Sequence, residues 1–322
     1  MKPNVYITRR IPREAIERLS SCCDVSIWDE EDKPVPRDVL ERALGNADAL
    51  FCLLTERIDR ELIARAPKLK VISTMAVGYN NIDVEAAAER GIVITNTPEV
   101  LTEATADLTF GLLLATARRM IEASGYLRAG QWRTWSPMLL TGMDVHGATL
   151  GMIGMGRIGE AVARRAAGFG MKVLYYNRSR KPELEATRGL IYTELDTLLQ
   201  TSDYVCIMTP YTPETANLIG AKELAMMKKT AILINTARGG IVDEKALYDA
   251  LAGGGIWAAG LDVFDEEPIS TGHPLLKLPN VVALPHIGSA SIAARSKMAD
   301  IAAENILRVL SGQDPLYRVN TF

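Results

Sequence analysis

From Thr149 onward the chain carries six short, continuous apolar runs separated by segments of helical periodicity. They are TLGMI (149–153), KVLYY (172–176), YVCIM (204–208), AILIN (231–235), WAAGL (257–261) and VVAL (281–284). Runs with no polar alternation suit strands buried on both faces, and helices between them make those strands parallel. The first hundred residues hold a similar series: NVYIT (4–8), VSIW (25–28), ALFCLL (49–54), KVISTM (70–75) and IVITN (92–96). Helix-like segments such as PREAIERL (12–19), DRELIARA (59–66) and DVEAAAER (83–90) lie between them. The expected fold is α/β, with two doubly wound parallel-sheet domains; 322 residues suit two cores better than one. One long helix is expected over roughly 100–126, then a loop around GQWRTW (130–135), and a last helix from Ser291 to Leu310.

Composition excludes several function classes. A net charge of −3 and a pI near 5.8 do not provide the dense basic surface of a general nucleic-acid binder. The most apolar segment, LTFGLLLATA (108–117), is flanked by Asp107 and Arg118-Arg119 and is too short to span a bilayer. It reads as a buried helix. The N-terminus lacks the pattern of an export signal, so a cytoplasmic protein with no membrane partner is expected. Cys22, Cys23, Cys52 and Cys206 show no zinc-type spacing, and no metal is expected.

GMGRIG (154–159) follows one apolar run directly and opens a helix-like segment, EAVARRAAG (160–168). In that context Gly154 makes the tight turn, Gly156 admits a pyrophosphate to the backbone, and Gly159 lets helix pack on strand. The helix N-terminus then attracts the anion. S-adenosylmethionine enzymes also use glycine-rich turns, so the motif alone leaves two cofactor classes open; its full three-glycine spacing and mid-chain position favour a nicotinamide dinucleotide.

The next strand ends not in an acid but in Asn177, Arg178, Ser179 and Arg180. An acid there accepts hydrogen bonds from a ribose 2′-hydroxyl and repels a 2′-phosphate. Asn177 removes the repulsion, and the two guanidiniums and the hydroxyl offer donors to a phosphate. NADPH is the expected preference, with NADH as the alternative.

Hydride transfer to a 2-keto acid needs a cation for the carboxylate and a proton donor for the developing alkoxide. Histidine titrates near neutrality, and the chain has only His146, His273 and His286. His286 ends VVALPH, at a strand's carboxyl end where open α/β sheets bind ligands. His146 and His273 read as surface or capping residues. Arg238, after AILINTA and before Gly239-Gly240, suits the cation. Glu267 is the candidate partner of His286, with Asp265 and Glu266 in competition. Asp262 is placed to touch the cofactor.

GMGRIG, NTARGG (235–240), GLDVFDEEP (260–268) and PHIGSA (285–290) resemble, in order, the signatures of the D-isomer-specific 2-hydroxyacid dehydrogenases. The likeness extends upstream to EATAD (103–107) and AVGYNNID (76–83), and so covers nearly the whole chain. Within the family the chain is most similar to glyoxylate/hydroxypyruvate reductases, including those that reduce 2-ketogluconate. The resemblance implies that Arg238, Glu267 and His286 are catalytic, with His286 the proton donor, and that Val77 and Gly78 offer backbone N–H groups to the substrate carboxylate. Arg157 and Ile158 would lie at the pyrophosphate, Thr209 and Pro210 near the adenosine side, and Thr236, Ala237, Asp262 and Gly288 at the nicotinamide end. It also implies a Rossmann cofactor domain over 99–290 and a flavodoxin-like discontinuous substrate domain over 1–98 and 291–322, with closure over a cleft. A homodimer using the 100–150 segment is expected, with Trp135 as a candidate to reach the partner's active site. Two alternatives carry different features: phosphoglycerate-type dehydrogenases bear long regulatory extensions, and dinucleotide-sensing corepressors bear partner-binding tails.

Overall fold

The computed structural model describes residues 2–321. It divides into two compact units, Met1–Leu101 with Ala290–Phe322, and Thr102–Ser289. The breaks fall where the helix Thr102–Ala117 begins and just before Ser291, which caps the C-terminal helix Ile292–Leu310. They lie close to, but not at, residues 98 and 291.

In the first unit β1 (Asn4–Ile7), α1 (Arg13–Cys22), β2 (Asp24–Ile27), α2 (Arg37–Leu44), β3 (Ala49–Cys52), α3 (Arg60–Ala64), β4 (Val71–Thr74), α4 (Val84–Glu89) and β5 (Val93–Thr95) follow one another. The strands pair in parallel in the order β2-β1-β3-β4-β5, the flavodoxin-like arrangement. β3 and β4 are buried at every position, which is why their sequences lack polar alternation. Asp59 and Asp83 start α3 and α4 by accepting the N–H groups of Leu62 and Ala86. The C-terminal helix packs on α1, β3 and β4; Ser73 Oγ donates to Ala302 O at 3.0 Å, and Arg18 pairs with Asp300 and Glu304. Asn320 seals the return of the chain: its side chain accepts from Ile94 N and donates to Ile92 O, each at 2.8 Å.

The second unit runs α5 (Thr102–Ala117), α6 (Met120–Arg128), β6 (Thr149–Ile153), α7 (Arg157–Gly168), β7 (Lys172–Tyr176), α8 (Pro182–Arg188), β8 (Ile191–Tyr192), α9 (Leu195–Thr201), β9 (Tyr204–Ile207), α10 (Ala221–Met226), β10 (Ile232–Asn235), α11 (Glu244–Ala252), β11 (Ala258–Leu261), a 3-10 turn (Pro274–Lys277) and β12 (Val281–Ala283). Its seven strands are parallel in the order β12-β11-β10-β9-β6-β7-β8, the dinucleotide-binding order with one added strand. One expectation fails here: the single helix over 100–126 is two helices. Arg119 takes a left-handed conformation (φ 52°) and its guanidinium grips Glu122 at 2.7 and 2.8 Å, so the chain turns between α5 and α6. The two-residue β8 escapes detection by periodicity because it spans no full alternation.

Among the described residues no helix is long and apolar enough to cross a membrane, and no cluster of His, Cys, Asp and Glu could hold a metal ion. The four cysteines are free thiols, and burial pushes the Cys206 thiol up to about 12.

Candidate active site

Parallel strands deliver their carboxyl ends to one edge of the second sheet, and chain order reverses between β6 and β9. The glycine turn follows β6 at that point. Gly154 has φ 98°, and a Cβ there would lie 2.7 Å from the backbone of Met208 and Thr209 in the turn after β9. Only glycine permits both the angle and the approach. A Cβ on Gly159 would collide with Gly154 O, so the helix start packs directly on the turn. Gly156, by contrast, faces open space. α7 begins at Arg157, three residues earlier than EAVARRAAG implies, and its N-cap Gly156 supplies no side-chain bond. A helix start without a side-chain cap suits an anion.

Asn177 follows β7 and ties two turns together. Its Oδ1 accepts from Met155 N at 3.4 Å, and its Nδ2 donates to Ser179 O at 2.9 Å. The four residues of this turn do not act alike. Arg178 and Ser179 are exposed, and the charge of Arg178 reaches Glu214. Arg180 is committed to Glu185 of α8, with Nε–Oε1 at 2.7 Å and Nη2–Oε2 at 2.5 Å, and lies over the Tyr192 ring. Glu185 also accepts from Tyr175 Oη at 2.8 Å, and its carboxyl is held down to about 2, chiefly by Arg180.

The proton-transfer candidates come from three adjacent strands. Arg238 lies three residues beyond β10, Asp262 directly after β11 with Glu267 further along the same turn, and His286 three residues beyond β12. His286 Nδ1 lies 2.6 Å from Glu267 Oε2, and Glu267 Oε1 accepts the Phe264 N–H at 3.0 Å. Of the three competing acids, Glu267 therefore meets the imidazole. Burial raises its carboxyl, but the His286 contact, the Phe264 N–H and the charge of Arg238 together leave it lowered. Arg238 is part-buried; desolvation lowers its pKa against the opposing pull of Glu267. Its turn is built by Asn235, which accepts from Ala237 N at 3.0 Å and donates to Arg238 O at 2.9 Å.

Asp262 is fully buried, with Oδ1 accepting from Ile287 N at 2.8 Å and so fixing the residue after His286. Burial raises its carboxyl. Its Oδ2 is buried and faces Gly288, whose N–H opposes the effect of burial without making a well-formed hydrogen bond. Thr236 Oγ1 lies 2.7 Å from Thr109 Oγ1 on α5, and Ala237 borders Arg238. The open space at Gly156 and the start of α7 fit a dinucleotide laid along this edge. Thr209 and Pro210 lie in the turn after β9, beside Gly154.

Val77 and Gly78 lie in the turn after β4 of the first unit, where Asn96 Nδ2 donates to Val77 O at 2.9 Å. His273 caps the 3-10 turn by accepting from Leu275 N. His146 packs near Gly170, and Trp135 is 75% exposed. Sequence reasoning missed Asn235 and Glu185. The short N-x-x-R spacing before Gly-Gly could have revealed the first; the second depends on how α8 is oriented.

The NAD binding domain model of the D-isomer specific 2-hydroxyacid dehydrogenases matches residues 110–288. The chain is 50% identical to the glyoxylate reductase of Korarchaeum cryptofilum over 99% of its own length and 96% of that protein. A glyoxylate reductase of Thermococcus kodakarensis is 51% identical, with 99% and 97% covered. Among solved structures, a protein of Thermus thermophilus superposes with a TM-score of 0.93 at 47% identity, covering 98% of this chain and 100% of that one. The NADPH-dependent glyoxylate/hydroxypyruvate reductase of Sinorhizobium meliloti, solved with NADP and malonate, gives 0.85 at 33% identity, with 99% and 97% covered.

Proposed function

This chain belongs to the D-isomer specific 2-hydroxyacid dehydrogenases, NAD(P)-dependent oxidoreductases, and from that membership we propose that it reduces small 2-keto acids to D-2-hydroxy acids with NADPH preferred over NADH. Glyoxylate and hydroxypyruvate are the proposed substrates, after the activities of its relatives, with 2-ketogluconate as a larger candidate. The observation that carries the reading is the His286–Glu267 pair at 2.6 Å beside the part-buried Arg238 on neighbouring strand ends.

A nicotinamide dinucleotide, when bound, supplies the hydride. The N–H groups at Arg157 and Ile158 would hold its pyrophosphate, and Asp262 and Gly288 would lie at its nicotinamide end. Arg238 binds the substrate carboxylate through its guanidinium fork. The resemblance of AVGYNNID assigns the Val77 and Gly78 N–H groups to binding of a substrate carboxylate. His286 enters protonated and gives its proton to the oxygen that becomes the hydroxyl. Glu267, ionised at neutral pH, favours that protonated form and fixes the ring.

The exposed side chains of Ile121, Leu127, Trp132, Trp135 and Met138, between 54% and 75% accessible, support a homodimer through α6 and the loop after it. The free thiols fit a reducing cytoplasm. The deciding experiment follows the loss of reduced-nicotinamide absorbance with glyoxylate, hydroxypyruvate or 2-ketogluconate and each cofactor. Oxidation of NADPH by glyoxylate or hydroxypyruvate is expected; no oxidation of either cofactor by any of the three overturns the proposal.

A further inference from the structure

We propose that Glu244, backed by His273, is a positioning residue that clamps the turns carrying Arg238 and Glu267. The inference rests on the catalytic reading of those two residues and deepens it.

Glu244 is the first residue of α11, where an acid ordinarily serves the helix dipole or faces water. Here the capping task belongs to Asp243, whose side chain accepts from Ala246 N at 3.0 Å. Glu244 turns away from its own helix instead, and its side chain is only 16% exposed. Oε1 accepts the Asp265 N–H at 2.8 Å, and Oε2 lies 3.3 Å from His273 Nε2. His273 Nδ1 accepts from Leu275 N at 3.4 Å, so a neutral ring carries its proton on Nε2 and donates it to Glu244.

The chain of contacts continues into the site. Asp265, whose backbone Glu244 holds, accepts the Gly240 N–H through Oδ1. A Cβ on Gly239 would collide with Phe264 O, so the two turns touch directly. Phe264 N donates in turn to Glu267, the partner of His286. The 264–267 turn is therefore held at two successive amides, one by Glu267 itself and the other by Glu244.

Asp265 and Glu267 oppose the ionisation of Glu244, and the His273 ring, whether neutral and donating or protonated, favours it. Burial raises its carboxyl first, and the Asp265 N–H offsets part of that. A carboxylate kept in such company, with both oxygens on loop partners, acts as a brace. Around His286 the charged groups are Glu267 and Asp262, with Arg238 beside Glu267.

The test compares pH profiles of kcat/KM for glyoxylate reduction, with cofactor affinity measured separately, in Glu267→Gln, Glu244→Ala, Glu244→Gln and the double variant Glu244→Ala/Glu267→Gln. Glu267→Gln should move the alkaline limb to lower pH. Glu244→Ala should move it the same way and lower kcat by about tenfold, the scale of a small misplacement. Glu244→Gln keeps an acceptor for the Asp265 N–H but turns its amide NH2 toward the His273 donor, so its shift should be smaller than that of Glu244→Ala. The double variant should be no worse than Glu267→Gln alone, because both changes act through one group. Should Glu244→Ala fail to fold, His273→Gln gives the milder probe, with the same direction and a smaller shift. An unmoved limb and kcat in Glu244→Ala, additive losses in the double variant, or a parental His273→Gln where Glu244→Ala does not fold would overturn the proposal. If Glu267→Gln alone leaves the limb in place, the catalytic reading fails and the brace falls with it.

Discussion

His286 Nδ1 meets Glu267 Oε2 at 2.6 Å, which leaves Nε2 as the ring nitrogen for proton delivery. Glu267's carboxyl is lowered, so it is ionised across the neutral range and its attraction favours the imidazolium. With His286 as the proposed proton donor, reduction should need that imidazolium and decline as pH rises. Without the carboxylate the decline begins earlier: in Glu267→Gln the alkaline limb should move to lower pH. Oxidation of the 2-hydroxy acid needs the neutral ring, so its acid limb should move down as well. His286→Ala should lower kcat by roughly 10²–10⁴ while cofactor affinity stays parental. Parental turnover in His286→Ala would remove the donor role.

Arg238 is a part-buried cation, and its backbone is held by the Asn235 turn. A charge-assisted bond contributes about 1.5–3 kcal/mol, so Arg238→Gln should reduce kcat/KM by roughly tenfold to a hundredfold. Arg238→Lys keeps the charge without the fork and should fall between. Steady-state kinetics with glyoxylate would decide; an unchanged kcat/KM in Arg238→Gln would move the carboxylate site elsewhere.

Much of this architecture is legible in the chain because burial on both faces writes strands as unbroken apolar runs, as in Ala49–Cys52 and Ile232–Asn235. That Arg238, Asp262 and His286 lie at strand ends was also legible, since each comes just after an apolar run. The bend at Arg119 was not legible, because a left-handed arginine braced by Glu122 leaves no mark in periodicity. Nor was the capture of Arg180 by Glu185, or the reach of Glu244 to Asp265. Those depend on the directions in which helices leave the sheet.

Two glycines separate packing from binding. Gly239→Ala places a Cβ against Phe264 O, so it should lower stability by about 1–3 kcal/mol and reduce kcat by displacing the Glu267 turn. Gly156→Ala meets no protein atom within 4 Å, so its Tm should stay near the parent's while cofactor affinity weakens. Thermal unfolding and cofactor titration on both variants test the pair. Parental cofactor affinity in Gly156→Ala would take the pyrophosphate away from this turn.

Cofactor choice should rest on Arg178 more than on Arg180. Both guanidiniums are exposed, but Arg180 is held by both oxygens of Glu185 and covered on one side by Tyr192. A 2′-phosphate would have to compete with a carboxylate already ionised down to about pH 2. Arg178 faces no such competitor at close range, and Asn177 beside it carries no repelling charge. Arg178→Gln should therefore lower kcat/KM for NADPH by about tenfold, the scale of one charge-assisted bond, with little change for NADH. Arg180→Gln should change the ratio much less. Glu185→Gln loosens Arg180 and should leave NADPH use equal or improved. Asn177→Asp with Arg178→Asp restores the acid and should turn the preference toward NADH. The ratio of kcat/KM for the two cofactors reads all four. If the ratio follows Arg180 and ignores Arg178, the ion pair with Glu185 must open on binding, and the phosphate site lies nearer α8 than proposed.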